Sequence, residues 1–231
     1  MPPRHVADFF DALSRDYTAV IERCFPRYRE MLWALLDYLP QDRDFGSILE
    51  LGAGTGNLSV LLKEAFPAAS LRFVDISKDS LDVCRDRLGA GRFAFEEQDF
   101  RRLDYPPDSF DLVISSISIH HLTSPEKQVL FGNIYDWLKP WGMFSFADQF
   151  RGATDDLYAR HIRNWKAESL RAGSTEEEFE MWMDHQEEHD HHDPLKDQMD
   201  WLSGAGFDIV DCPWRYLLWS VLQARKTWRG N

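Results

Sequence analysis

A chain of 231 residues, 44% of them apolar, is long enough to bury one large α/β core with an insertion. The net charge of −13, with no basic block, argues against DNA or RNA as the main partner, because neutralising phosphates takes clustered Lys and Arg. Cys24, Cys84 and Cys212 lie far apart and give no sign of a C-x-x-C zinc site or a disulfide framework. No apolar run is long enough for a bilayer and no signal-like start is present, so a cytoplasmic location is expected.

In chain order, residues 6–39 read as helix broken at Pro26 and ended at Pro40, with Phe9, Phe10, Leu13, Tyr17, Val20 and Ile21 at helical spacing. The stretch that organises the chain follows, S-I-L-E-L-G-A-G-T-G-N-L-S from Ser47 to Ser59. Ile48, Leu49 and Leu51 fit a buried strand. Gly52, Gly54 and Gly56 make a loop that allows positive φ and close approach of a ligand to the backbone. Asn57 is expected to cap the helix that Leu58 opens. The spacing G-x-G-x-G misses the dinucleotide pattern G-x-G-x-x-G by one position.

Leu71, Phe73 and Val74 make a second buried strand ending at Asp75 and Ile76, and Ser77 caps a helix to Leu88. Asp75 lies about twenty residues past the loop, where a Rossmann-like sheet presents an acid to two ribose hydroxyls. Arg92 to Asp99 alternates as a third strand. Phe110 to Ile119 is a fourth, with small Ser115 and Ser116 near its end and His120-His121 after it. A helix from Pro125 to Leu138, stopped by Pro140 and Gly142, precedes a fifth strand, Met143 to Asp148. Thr154 to His192 reads as two helices. Trp165, Trp182 and Met181 are read there as amphipathic core, with pocket walls as the alternative. The run D-H-Q-E-E-H-D-H-H-D places His185, His189 and His192 at i, i+4 and i+7, which a divalent metal could use with Asp190 or Asp193. A polar, solvated helix end is the preferred reading of that run. Pro194 opens a last helix, and Phe207–Cys212 and Leu217–Ala224 read as two strands.

The glycine loop with Glu50 before it resembles motif I of the class I methyltransferases that bind S-adenosylmethionine. Q-x-x-W-L-x-x-A-G-F at Gln198, Trp201, Leu202, Ala205, Gly206 and Phe207 resembles their C-terminal signature. The resemblance covers nearly the whole chain and is similar to the small methyltransferases grouped with the tRNA-uridine carboxymethylation enzymes. It implies an α/β fold: a Rossmann-like, doubly wound seven-stranded sheet, last strand antiparallel, with a helical N-terminal arm and a helical insertion after strand five. All of 1–231 is then one unit: arm 1–40, cofactor core 41–150, lid 151–193 and closing helix with hairpin 194–231.

The same resemblance implies the site. Glu50 and the amides of Gly52, Gly54 and Gly56 would hold the amino-acid tail. Asp75 and Ile76 would hold the ribose, Asp99 and Phe100 the adenine, and Ser115 and Ser116 the methionine part. Tyr17, in the stretch Phe10-Asp11-Ala12-Leu13-Ser14-Arg15-Asp16-Tyr17, which resembles the relatives' F-D-x-x-A-x-x-Y-D but has Ser14 for the alanine and Thr18 for the last acid, would sit near the sulfonium. His121, then His120, are candidates for a general base, and Asp148 for orienting the acceptor; packed side chains without chemistry are the alternative for each. The expected activity is methyl transfer from S-adenosylmethionine to a small molecule, leaving S-adenosylhomocysteine, without a metal, a membrane or a nucleic acid. The reading allows a homodimer. A carboxy-S-adenosylmethionine synthase is the second reading, with Arg151 or Arg215 binding the carboxylate, and a non-catalytic S-adenosylmethionine-binding partner the third.

Overall fold

The structure, a computed structural model, describes residues 17–227, without the side chain of Tyr17. The expected arm before Tyr17, including the stretch from Phe10 to Asp16, lies outside the described residues. So does the Tyr17 ring and the end of the chain after Thr227.

The described chain runs α1 (Tyr17–Cys24), α2 (Tyr28–Asp37), β1 (Ser47–Leu51), α3 (Asn57–Ala65), β2 (Ser70–Asp75), α4 (Lys78–Leu88), β3 (Phe93–Glu97) and β4 (Phe110–Ser116). There follow α5 (Ser124–Trp137), β5 (Leu138–Gln149), α6 (Asp155–Arg171), α7 (Glu176–His189), α8 (Leu195–Ala205), β6 (Ile209–Tyr216) and β7 (Trp219–Arg225). The strands form one seven-stranded sheet in the order β3-β2-β1-β4-β5-β7-β6. β1 pairs in parallel with β2 and β4, and so do β2 with β3 and β4 with β5. β7 runs antiparallel to both β5 and β6. This is the expected fold. The order reverses between β1 and β4, so the loops leaving those strands diverge and open a crevice at their C-terminal ends.

Period-two alternation divides the core between the two sheet faces. Ile48, Leu112, Ile114 and Met143 point to the side covered by α1 to α4, α6 and α7; Leu49, Leu51, Val113, Phe144 and Phe146 point to the side of α5 and α8. Each such side chain, fully buried, stabilises the fold by about 1.5–3 kcal/mol. The insertion adds its own plug. Trp165 and Trp182 pack on Phe25 with ring centroids 5.5 and 5.0 Å apart, which makes them core, as read from the sequence.

Several boundaries differ from expectation. The α3 N-cap is Gly56, not Asn57, whose amide oxygen instead accepts from Thr18 and whose amide nitrogen donates to Tyr28. α5 ends at Trp137 and β5 begins at once, before Pro140 and Gly142, with Trp141 turning at φ 67. β4 stops at Ser116 because Ile117 adopts φ 53, and Ile119–His121 coil into a 3-10 turn. The final hairpin is shifted: β6 runs through Pro213 to Tyr216. A register irregularity between Asp211 and Trp214, on an edge strand, accommodates the proline that lacks an N–H.

Candidate active site

The crevice at the ends of β1, β2 and β4 holds a cavity of about 480 Å³. Its floor is the glycine loop. The amides of Gly52 and Ala53 donate to the Val74 carbonyl at 2.8 and 3.0 Å, which folds the loop back over β2. Gly52 has φ 70, and a Cβ there would stand 2.1 Å from Ser118 Oγ. Gly54 has φ 52, but a Cβ there would meet nothing within 4 Å, because it would enter the cavity. Gly56 does not line the cavity; its missing Cβ makes room for Cys84 Sγ, 2.9 Å away. The three glycines therefore have three separate reasons, and only Gly54 keeps space for a ligand alone.

Acids from successive strand tips surround that floor. Asp75 accepts from Gly54 N–H through Oδ2 and from Ser77 N–H through Oδ1, both at 2.8 Å. These bonds fix the carboxylate against the cavity wall. Asp99 accepts from the Arg101 amide at 3.0 Å and pairs with its guanidinium at 3.2 Å. It thus caps the 3-10 turn Phe100–Arg102 and faces the cavity as well. Ile76 and Phe100 complete this end. Glu50 is buried under the loop and accepts from Ser59 Oγ at 2.7 Å. Burial, despite that bond and with Asp75 adding repulsion, pushes its pKa up to about 8. Ser116 lines the cavity, but Ser115 does not: its hydroxyl donates to the Leu51 carbonyl at 2.8 Å and ties β4 to β1.

The far end is closed by residues that come from both halves of the chain. His121 lines the cavity, together with Glu188, His189 and His191 from the insertion. His120 and Asp148 stand behind His121, outside the cavity lining. Asp148 accepts from the His120 amide at 3.0 Å and its Oδ1 lies 2.5 Å from His120 Nδ1. Burial alone would lower the His120 pKa, but the carboxylates of Asp190 and Asp148 outweigh it and raise it. His121 is lowered, by burial and then by its neighbour His120. Asp148, read from the sequence as a residue that could orient the acceptor, bonds the His120 backbone and ring and does not line the cavity.

The histidine-rich run also differs from expectation. It is not a solvated helix end. α7 stops at His189, and Asp190, its C-cap, turns inward with its side chain 3% exposed. His121, His120 and His192 place ring nitrogens 3.1, 3.5 and 3.5 Å from its oxygens. Burial would raise the Asp190 pKa, yet His120 first and these neighbours hold it well below the usual carboxylate range. His185 is buried and held down to about 3 by burial. The set His185, His189 and His192 does not come together around one point; the group that does is His120, His121 and Asp190. Arg151 and Arg215 do not line the cavity: Arg151 pairs with Asp155 at 2.6 Å, and Arg215 faces out from β6.

Residues that the sequence did not single out also form the site. Arg101 neutralises Asp99 and also pairs with Glu126 at 2.6 Å. Tyr28, Asn57, Ile117 and Ser118 line the walls. Of these, Arg101 was within reach of a sequence argument, because a base two residues from a buried acid suggests a pair.

Residues 48–142 match the family model described as a methyltransferase domain. An uncharacterized methyltransferase from Bacillus mycoides (strain KBAB4) is 28% identical over 155 residues, covering 66% of this chain and 71% of its own. Among solved structures, an S-adenosylmethionine-dependent methyltransferase from Mesorhizobium loti superposes with a TM-score of 0.61 at 21% identity, over 85% of this chain and 98% of its own. The phosphoethanolamine N-methyltransferase 2 of Haemonchus contortus, in complex with phosphomonomethylethanolamine and S-adenosylhomocysteine, gives 0.68 at 17% identity, over 94% of this chain and 58% of its own. This sheet order, a glycine loop open to the crevice at Gly54, and the domain match over residues 48–142 together support a class I S-adenosylmethionine-dependent methyltransferase.

Proposed function

We propose that the chain methylates a small molecule held at the cavity end bounded by His121, Glu188, His189 and His191. The observation that carries this reading is a single cavity of about 480 Å³ that reaches from the glycine loop to the insertion. That volume falls in the range of small-molecule sites, about 300–1,000 Å³. The overall charge of −13 favours no nucleic acid.

The residues fit the donor. Gly54 leaves an open cradle, Asp75 brings a fixed carboxylate to the wall where the ribose would lie, and Asp99 with Phe100 lines the end that would take the adenine. Glu50, buried beneath the loop, keeps its proton at neutral pH with its pKa pushed up to about 8, and a cationic ligand beside it would favour its carboxylate form. S-adenosylmethionine, when bound, supplies an electrophilic methyl carbon on a cationic sulfur. The chain's own work is alignment and exclusion of water, and holding both partners in one site removes most of the entropic barrier to their meeting. His121 contacts the acceptor; His120 and Asp148 keep its backbone turn in place. The Haemonchus contortus enzyme, seen with a small phosphorylated amine, is an example of such an acceptor on this fold.

The test is incubation of the protein with methyl-labelled S-adenosylmethionine and separated fractions of metabolites, tRNA and protein. Label in the metabolite fraction is expected; label in tRNA or protein alone would overturn the reading. In His121→Ala, kcat for the acceptor so found should fall about a hundredfold, while S-adenosylhomocysteine binds as before.

A further inference from the structure

The densest group of chemistry-bearing side chains lies behind His121. His120 Nε2, His121 Nδ1 and Asp190 Oδ1 can all be placed within 4.8 Å of one another. His121 Nδ1 is 3.1 Å and His120 Nε2 3.5 Å from Asp190 Oδ1, and His185 Nε2 is 3.9 Å from the same oxygen. A tetrahedral ion with bonds of about 2.0–2.1 Å sets its ligands about 3.3 Å apart, so these separations are the edges of one coordination polyhedron. Asp190 Oδ1 is buried, and three imidazole nitrogens face it.

A second observation lies on the other side of the cluster. His120, His185, Asp190 and Gln149 line a small void of about 10 Å³, and Gln149 Oε1 in its wall is buried without a hydrogen-bond partner among the described residues. That is space for about one water-sized ligand with polar neighbours.

We propose that His120 Nε2, His121 Nδ1 and Asp190 Oδ1 bind one divalent transition metal ion, zinc by choice of donors, with the fourth position turned toward His185 and the void. Two imidazoles and a carboxylate are a zinc set, softer than calcium or magnesium requires. Asp148 completes the arrangement from behind. It takes the Nδ1 proton of His120 at 2.5 Å, which leaves Nε2 as the lone-pair nitrogen facing Asp190. The ion would join the turn after β4 to the end of α7. These two segments otherwise meet through the His191 amide and the His120 carbonyl at 2.7 Å. Because the His121 ring also lines the cavity, the ion would set its orientation toward the acceptor. The proposal stands whatever the acceptor is.

The test uses the whole chain, stripped with chelator and titrated with Zn²⁺ against a chromophoric competitor, then loaded with Co²⁺ for visible spectra. One equivalent of Zn²⁺ per chain and the intense bands of tetrahedral Co²⁺ are expected. Asp190→Asn should bind Zn²⁺ about a hundredfold more weakly and Asp148→Asn about tenfold more weakly, while His161→Ala on α6 binds as the wild type. Thermal unfolding of the wild type with Zn²⁺ and with EDTA gives an answer independent of any variant, with a higher Tm expected for the ion-bound form. No binding, an unchanged Tm, or equal affinity in Asp190→Asn would overturn the proposal and leave a protonated His120 held between two carboxylates. S-adenosylhomocysteine titrated into the metal-free protein reports on the cofactor site separately, so failure of one reading is distinguishable from failure of the other.

Discussion

At residue scale, Gly52 and Gly54 are separated by what a methyl group would touch. Gly52→Ala drives a Cβ into Ser118 and strains a backbone at φ 70. The combined loss is about 3 kcal/mol, from left-handed strain and overpacking. Gly54→Ala meets no protein atom and should lose only about 1–2 kcal/mol of stability, the strain of its φ. Its methyl group occupies the cradle, so S-adenosylhomocysteine binding should be lost in Gly54→Ala even though the fold survives. Urea unfolding and calorimetry on the two variants check this.

Glu50 carries a pH signature at the same scale. The groups that face it are Ser59 as donor, Asp75, Tyr28 on α2 and Cys84 on α4. Folding moves its pKa from 4.5 up to about 8. Between those values the unfolded chain releases the proton and the folded chain keeps it. Stability therefore falls as pH rises through that window and levels off above it. Glu50→Gln removes this effect: relative to wild type it should gain stability from pH 5 to pH 8 in urea melts. A difference between variant and wild type that does not change with pH would contradict the assignment.

At the scale of elements, the insertion is fastened rather than loose. Lys127 on α5 is 1% exposed, donates to Asp193 at 2.6 Å and to the His191 carbonyl, and Ser124 donates to Asp193 at 2.7 Å. Lys127→Met strands a largely buried carboxylate and should destabilise the chain by about 3 kcal/mol. It should also lower methyl transfer more than S-adenosylhomocysteine affinity, because Asp193 holds the segment that carries His191. Denaturant melts and paired kinetic and binding measurements check both parts. The elements differ in how far the sequence revealed them. β1, its glycine loop and Asp75 were legible because a buried apolar run, a turn residue and a strand-end acid are local signals. The ends of β5 and β6 were not, since Pro140 read as a stop and the β6 run was ended at Cys212, just before Pro213. Sheet pairing keeps both prolines inside strands, Pro213 at an edge irregularity. Asp190 was legible only as an acid near histidines. Its burial depends on the turn after β4, some 70 residues earlier, and no local pattern carries that information.

At the scale of the whole molecule, the order of apolar runs gave the alternation of strands and helices, while the sheet with its antiparallel last strand was expected from the resemblance carried by the glycine loop and the C-terminal signature. The cavity's far wall came from neither, because it is assembled from two distant segments. A ligand that binds only the folded state at a hundred times its Kd adds about 2.7 kcal/mol. For a chain of 150–250 residues that corresponds to a rise in Tm of about 5–10 °C. S-adenosylhomocysteine should produce this shift and NAD should not, since the loop spacing suits no pyrophosphate. Scanning calorimetry with each nucleotide decides it.

The cavity walls also record a division of labour along the chain. From Glu50 to Glu126 they fall inside the segment 48–142 that matches the methyltransferase domain, and Tyr28 before it and Glu188, His189 and His191 after it fall outside. The donor half and the roof over the acceptor are thus separate stretches of polypeptide, joined at the turn that carries His120 and His121. Swapping residues after β5 between relatives should therefore exchange what is methylated while leaving the donor untouched. Any such chimaera would have to carry His120, His121 and Asp190 together, because the seam runs through them.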